Sequence, residues 1–245
     1  MAGIGSSSVY DSYLSPLEYK GYNFGLIYEE MSQTKILKGN VFAQHLFQLE
    51  VSDTRNPAET AENYTGWLNY DYGLFYRFKP VQKFQFFAGV QAGGLLGFVY
   101  SLRNVNNPVS VKAYINLNVS GMAVYSFQIK KQPVRLRYQV NVPAMGVLFS
   151  PHFGQSYYEI GLGDNADLVY FASFHNQWTV RNLLSVELPF KTFTLRLAYL
   201  NNLYETRQNQ LQTHLSSSSF YIGLSKQFFI VSERKPNNNF INVFD

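Results

Sequence analysis

From Val109 to Ile129 the chain alternates apolar and polar positions almost without a fault. Val109, Val111, Ala113, Ile115, Leu117, Val119, Gly121, Ala123, Tyr125, Phe127 and Ile129 hold one parity. Ser110, Lys112, Tyr114, Asn116, Asn118, Ser120, Ser126 and Gln128 hold most of the other. Successive side chains of a strand point to opposite faces, so this pattern predicts a strand with one apolar and one polar face. Strands in soluble proteins usually run about five or six residues. One this long predicts a wall that rises beyond a bilayer, as in a transmembrane β-barrel.

The pattern recurs. Tyr22, Phe24, Leu26 and Tyr28 share a face, as do Val41, Ala43, His45, Phe47, Leu49 and Val51. Leu68 to Phe78, Phe84 to Ala92, Val134 to Val142, Trp178 to Leu188, Phe193 to Tyr199 and Phe220 to Phe228 follow, each with polar residues on the alternate positions. Nine strands are clear, and a weaker one at Ser8 to Leu14 brings the total to about ten, the even number expected of a bacterial barrel. Tight links are expected near Lys79 to Val81, Lys130 to Gln132 and Pro189 to Lys191. Longer ones are expected at Ser52 to Asn63, Arg103 to Pro108, Gly146 to Asn176 and Glu205 to Thr213. Short periplasmic turns alternating with longer extracellular loops is the outer-membrane arrangement. The link from Ser32 to Lys38 fits it least, being a longish periplasmic turn. The fold class predicted is thus all-β, an antiparallel transmembrane barrel. A single domain is expected over 1–245, with 146–176 as an extracellular loop and 232–245 as a periplasmic tail.

Alternation alone does not say which face meets lipid, because a soluble barrel turns the apolar face inward. Length and charge decide. At about 3.3 Å per residue and a 45° tilt, the longest strand stands roughly 50 Å high, against an apolar belt of ~25 Å. Arg135 and Arg137 share one face, and in mid-bilayer each would cost about 2–4 kcal/mol, so they are expected inside. Composition agrees. The 245 residues are 46% hydrophobic and 17% aromatic, with 21 Phe and 19 Tyr. Mean hydropathy is nevertheless only −0.15, and no run approaches the roughly 18 apolar residues of a membrane helix. The net charge of +4 is not clustered as nucleic-acid binding requires. With no cysteine, disulfides, thiolate catalysis and cysteine metal sites are excluded. The first residues lack the basic start and apolar core of a secretory signal, so the barrel reading expects a mature form.

Several stretches resemble an uncharacterised family of outer-membrane proteins from Bacteroidota. They are Ser8 to Tyr19 (SVYDSYLSPLEY), Tyr72 to Pro80 (YGLFYRFKP), Leu102 to Ala113 (LRNVNNPVSVKA), Arg135 to Ser150 (RLRYQVNVPAMGVLFS), Pro151 to Ile160 (PHFGQSYYEI) and His175-Asn176-Gln177. The resemblance implies a location in the outer membrane of a Gram-negative bacterium. It also implies a place beside larger outer-membrane machines, including the barrel-assembly machinery. It carries no assigned chemistry.

The interior parity looks basic: Arg77, Lys83, Lys112, Arg135, Arg137, Arg181 and Arg196 against Asp71 and Glu187. An anion-conducting lumen is one consequence. The other, favoured near ten strands, is a barrel filled by a side-chain network. The one enzymatic candidate is His214-Leu215-Ser216, with imidazole and hydroxyl side by side on an outward face and Asn201 available to orient the ring. It resembles the pair of outer-membrane phospholipases and lipid A deacylases, although a Ser-rich rim strand with a wet histidine explains it as well. His45 fits an interfacial residue. His152 and His175 lack a second ligand at metal-binding spacing, and Asp164 and Asp167 lack an EF-hand pattern. No cofactor is expected. Gly89, Gly93 and Gly97 point inward and are expected to make room for bulky lumen side chains or to let the wall bend. The long loop carries Phe153, Tyr157, Tyr158, Tyr170 and Phe171, too aromatic for disorder, and is expected to cap the mouth or present a surface to a partner protein. Expected partners are outer-membrane lipids and outer-membrane proteins.

The expected function is a non-enzymatic outer-membrane barrel, structural or accessory to a larger assembly. A His-x-Ser lipid hydrolase and a narrow anion or small-solute pore are the alternatives.

Overall fold

A computed structural model describes residues 1–78, 83–164 and 166–226. In chain order the elements are β1 (Ala2–Asp11), β2 (Ser15–Gln33), β3 (Val41–Arg55), β4 (Glu62–Arg77), β5 (Phe84–Ser101), β6 (Val109–Ile129) and β7 (Gln132–Phe149). A one-turn helix α1 (Tyr157–Gly161) follows, then β8 (Val169–Ser173), β9 (Gln177–Pro189), β10 (Thr194–Gln208) and β11 (Leu211–Ser225). Each strand pairs antiparallel with its neighbours, β1 pairs with β11, and β6 pairs with β7. The sheet is therefore a closed ten-stranded barrel, and β8 is an eleventh strand added to the upper part of β7. Closure removes every long free edge, which is how a β-wall avoids exposed unpaired backbone.

The alternation has become geometry. Tyr22 is 83% exposed, and Phe24, Leu26 and Tyr28 lie beside it on the outer wall. On the inner parity, Asn23, Gln48, Asp71, Gln91, Asn118 and Gln139 are buried. Strand β6 runs 21 residues, matching the unbroken pattern in the sequence. The inner glycines of β5 face bulky partners: Gly89 lies opposite Phe75, Gly93 opposite Asp71 and Gly97 opposite Trp67. A Cβ at Gly97 would stand 3.0 Å from the Trp67 ring, and one at Gly89 2.7 Å from Phe75. Each glycine is the hollow that its neighbour fills.

Several expected boundaries shift. The first strand starts at Ala2, six residues before Ser8; its Gly3 and Gly5 carry no apolar side chain to mark a parity. The link Glu205 to Thr213 is not a long loop: β10 and β11 meet through Asn209-Gln210, both with positive φ (55° and 64°). That conformation matches the twist of a two-residue hairpin, and the polar residues around it are strand, not loop. The link Ser52 to Asn63 shrinks likewise to 56–61. The segment 146–176 contains the top of β7, α1 and β8. The proposed link at Lys79 to Val81, Phe228 and the tail 232–245 lie outside the described residues.

The filled interior and the capped mouth

Two apolar tiers bracket the lumen. Toward the termini, Phe42, Phe75, Phe87, Met122 and Val124 pack together, and the Arg77 guanidinium lies 5.0 Å from the Phe42 ring centroid. At the opposite end, Val9, Leu14, Tyr19, Val99, Tyr114, Leu148, Tyr204 and Leu215 form the second tier. Between them lies a middle of ion pairs and amides beside a third buried apolar cluster, Ile27, Leu46, Leu183, Ala198, Leu200 and Tyr221. Arg137 and Arg196 both donate to Glu29, which also accepts from Gln44, and Glu187 stands 3.6 Å from Arg196. Arg181 pairs with Asp71, which Asn69 and Asn118 also contact. Glu50 accepts from Gln48 and Ser217 at 3.2 and 3.0 Å. Gln44, Gln91 and Gln139 exchange amide hydrogen bonds of 2.9–3.0 Å across the lumen. Higher up, Lys112 pairs with Asp11 at 2.8 Å and donates to Thr213 at 2.8 Å.

These contacts correct the expected basic lumen. The buried cations Lys112, Arg137, Arg181 and Arg196 are met by Asp11, Glu29, Asp71 and Glu187, while the buried Glu50 is held by uncharged donors. Three of those carboxylates, Asp11, Glu29 and Glu50, were missed in the sequence, though their alternate parity to Tyr28 and Leu49 was a usable signal for the two glutamates. Lys83 sits exposed in the turn before β5, not in the lumen. Arg135 and Arg77 are half-buried near the same end. Such pairing follows from desolvation: a charge removed from water persists only beside an opposite charge and further hydrogen bonds.

The segment after β7 folds across the mouth. Ser156 caps α1 through a reciprocal box with Glu159, which satisfies orphan backbone donors at the helix start. Those Ser156 donors hold the Glu159 carboxyl below its ordinary range. Tyr13 donates to the Gln155 carbonyl at 2.8 Å, and its ring meets Tyr157 edge-on at 5.7 Å. Burial, with Tyr157 and Asp11 close by, pushes the Tyr13 hydroxyl up to about 12. The Tyr157 hydroxyl accepts from the Val111 backbone at 2.7 Å, and Asn209 donates to the Ser150 and Pro151 carbonyls. Of the five aromatic residues expected to face a partner, Phe153, Tyr158 and Phe171 are exposed. Tyr157 and Tyr170 instead face the lid's underside and the tier below it. The capping contacts claim their hydroxyls and ring faces, which no spacing rule reveals.

His214 and Ser216 share the half-buried outer face of β11. The partner of His214 is not Asn201: its Nδ1 lies 2.7 Å from Glu205 Oε1. Asn201 is aligned with Ser218 and donates to it at 3.0 Å. Four residues of strand separate it from the imidazole, so Asn201 does not orient the ring. No hydrogen bond joins His214 to Ser216 among the described residues. His45 bonds the Tyr70 hydroxyl at 2.8 Å on the outer wall, and His175 bonds Ser173. Among the described residues, no three His, Asp or Glu side chains converge as metal ligands would.

A family model described as a protein of unknown function (DUF3316) matches residues 1–235. Neither a curated protein nor a solved structure matches the chain.

Proposed function

The chain belongs to this DUF3316 family, and we propose that it is a non-enzymatic outer-membrane β-barrel serving as a structural or accessory subunit of a larger outer-membrane assembly. The observation that carries the membrane part is the inversion of the wall, with aromatic and aliphatic side chains outside and paired charges inside. A water-soluble barrel has the opposite arrangement. Rings of the outer wall, exposed or half-buried, cluster toward the termini, with Tyr76–Phe78, Phe84–Tyr125 and Phe190–Phe193 in contact, as an interfacial girdle would require. The family resemblance supports a Bacteroidota source, and the closed barrel supports the outer membrane.

The accessory role draws on the mouth. Phe153, Tyr158, Leu162 and Phe171 stand exposed on a lid whose underside is anchored. Rigid exposed aromatics of this kind suit a protein partner. Purification from native membranes, with and without Phe153→Ser, Tyr158→Ser and Phe171→Ser, tests it. A stoichiometric partner lost from the triple variant supports the role; a partner-free barrel from every mild detergent ends it.

Lipid hydrolysis is the second reading, and Glu205 on His214 is the contact that favours it, because a carboxylate on Nδ1 orients an imidazole as a base. Fatty-acid release from phospholipid or lipid A, lost in Ser216→Ala, would establish it. Conduction finds less support. The two apolar tiers and the ion network fill the lumen, and planar bilayers should remain silent.

A further inference from the structure

The wall has one interrupted seam. Strands β7 and β9 pair from Arg135↔Glu187 up to Asn141↔Arg181 and no further. Above that point β7 pairs with β8 from Met145↔Ser173, while β9 continues to Gln177 with β10 alone. Residues 142–144 and 177–180 therefore face each other without a ladder. Continuing the register places Pro143 opposite Thr179. Proline has no N–H to offer a neighbouring strand, so the ladder stops where that donor is needed. The β6–β7 register also shifts here, leaving Ala144 as a bulge between Pro143 and Met145, which bends the strand away.

Behind this seam lies a cavity of about 70 Å³, walled by Asn141 and Pro143 on one side of the gap and by Thr179 and Arg181 on the other. Its lining also includes Asn116 and Tyr114 of the adjoining β6 and Trp67 of β4. Asn116 is 2% exposed, yet neither its amide nitrogen nor its amide oxygen has a partner, and the Thr179 hydroxyl is unpartnered as well. A buried polar group left unpaired is destabilising, so these atoms point to a hydrogen-bonding occupant of the cavity. Outside, the gap is bordered by exposed apolar side chains, Met145, Val119 and the Phe174–Trp178 pair with ring centroids 5.8 Å apart.

We propose that this seam is a lateral entry to the cavity, and that the site takes the small uncharged head of a single-chain amphiphile, a protonated fatty acid or a fatty alcohol. The chemistry is specific. An amide and a hydroxyl each donate and accept, which matches a carboxyl or hydroxyl head. The fixed charges at the wall, Asp71 and Arg181, neutralise each other, so no ionic head is recruited. A carboxyl or hydroxyl head places its donor and acceptor on these atoms, whereas the neutralised wall offers a phosphate no cation of its own. A gap of three to four residues, about 10–13 Å of strand, passes one acyl tail and is too short for a partner strand.

The route rests on the membrane reading proposed above; the site does not. Binding of cis-parinaric acid is therefore measured in dodecyl maltoside, while liposome flotation checks membrane insertion separately. One saturable site per chain is expected, displaced by dodecanol and not by dodecylphosphocholine. Asn116→Leu and Thr179→Val, each with folding verified by heat-modifiable migration, should weaken binding at least tenfold. Thr179→Val carries the test if Asn116→Leu does not fold. Pro143→Thr, which restores the N–H, should slow entry. Absence of saturable binding, equal displacement by dodecylphosphocholine, or unchanged affinity in the folded variants overturns the proposal.

Discussion

Glu29→Gln is the perturbation from which most is learned about the barrel interior. Its carboxylate holds both Arg137 and Arg196 and accepts from Gln44, with side-chain exposures of 5%, 3% and 7% for the three charged groups. Neither guanidinium can shed its proton. After substitution Arg196 retains Glu187 at 3.6 Å, while Arg137 loses the carboxylate it contacts. Breaking one buried pair costs about 3–5 kcal/mol. Glutamine keeps an acceptor, so about 3 kcal/mol is expected for Glu29→Gln and about 5 for Glu29→Ala. With a urea dependence of about 3 kcal/mol per molar, the upper end for small proteins, the unfolding midpoint should fall by about 1–2 M. Reversible unfolding in phospholipid vesicles, followed by fluorescence of the two tryptophans, measures it. Glu30→Gln, one residue on and exposed, should cost less than about 0.5 kcal/mol, as surface changes do, a midpoint shift under about 0.2 M. Replacing Glu29, Arg137, Arg196 and Glu187 together by methionine should recover most of the loss, since apolar replacements of whole buried ion sets are often neutral or better. A Glu29→Gln midpoint equal to that of the unaltered protein would refute the reasoning, because the charges would then be solvated.

Gly93→Ala should destabilise the barrel by about 1–3 kcal/mol, as overpacking does, because the new methyl meets Asp71 and Asn118; Gly121→Ala, with only Val140 at 3.8 Å, should be neutral or slightly stabilising by the same urea titration. Tyr13 contributes a base-sensitive lid anchor. Its folded pKa of about 12 lies above the ordinary value near 10, so that stabilisation is intact below pH 10 and lost as pH rises through about 12. Hydrogen exchange of 150–164 should accelerate across that window and not in Tyr13→Phe. Glu159 acts with the opposite sign: its carboxyl is held low by Ser156, so the α1 cap is present above about pH 4.5 and lost as pH falls further. Pepsin nicking of the lid should rise there, and Glu159→Ala should give the same exposure at neutral pH with a neutral-pH protease.

The extent of what was legible differs element by element. Strand β6 was plain because twenty-one residues repeat one two-residue period. The start of β1 was not, because Gly3, Gly5 and a serine run give no apolar parity, and only pairing with β11 and β2 defines it. The β10–β11 hairpin read as a loop because Asn, Gln, Thr and His are common in loops; the positive φ of Asn209 and Gln210 is a tertiary outcome. The long aromatic loop was visible as a cap or a surface, yet which rings face which way depended on Tyr13 and Val111, distant in the chain. His214 and Ser216 lie on the half-buried outer face of β11, whereas the acidic partner Glu205 lies on the neighbouring strand, visible only once the register is known.

The amino-acid order by itself determined the two faces of the wall and its approximate strand count, because side-chain direction in a strand depends only on parity. It also determined that buried arginines need partners, because desolvated charge is costly. Only the closed barrel decided which partners. Glu29 meets Arg137 and Arg196 across 108 and 167 residues of chain, and the Pro143 seam opens where three strands compete for one ladder. Both depend on shear and register around a ring, quantities set by all ten strands at once and by no local stretch.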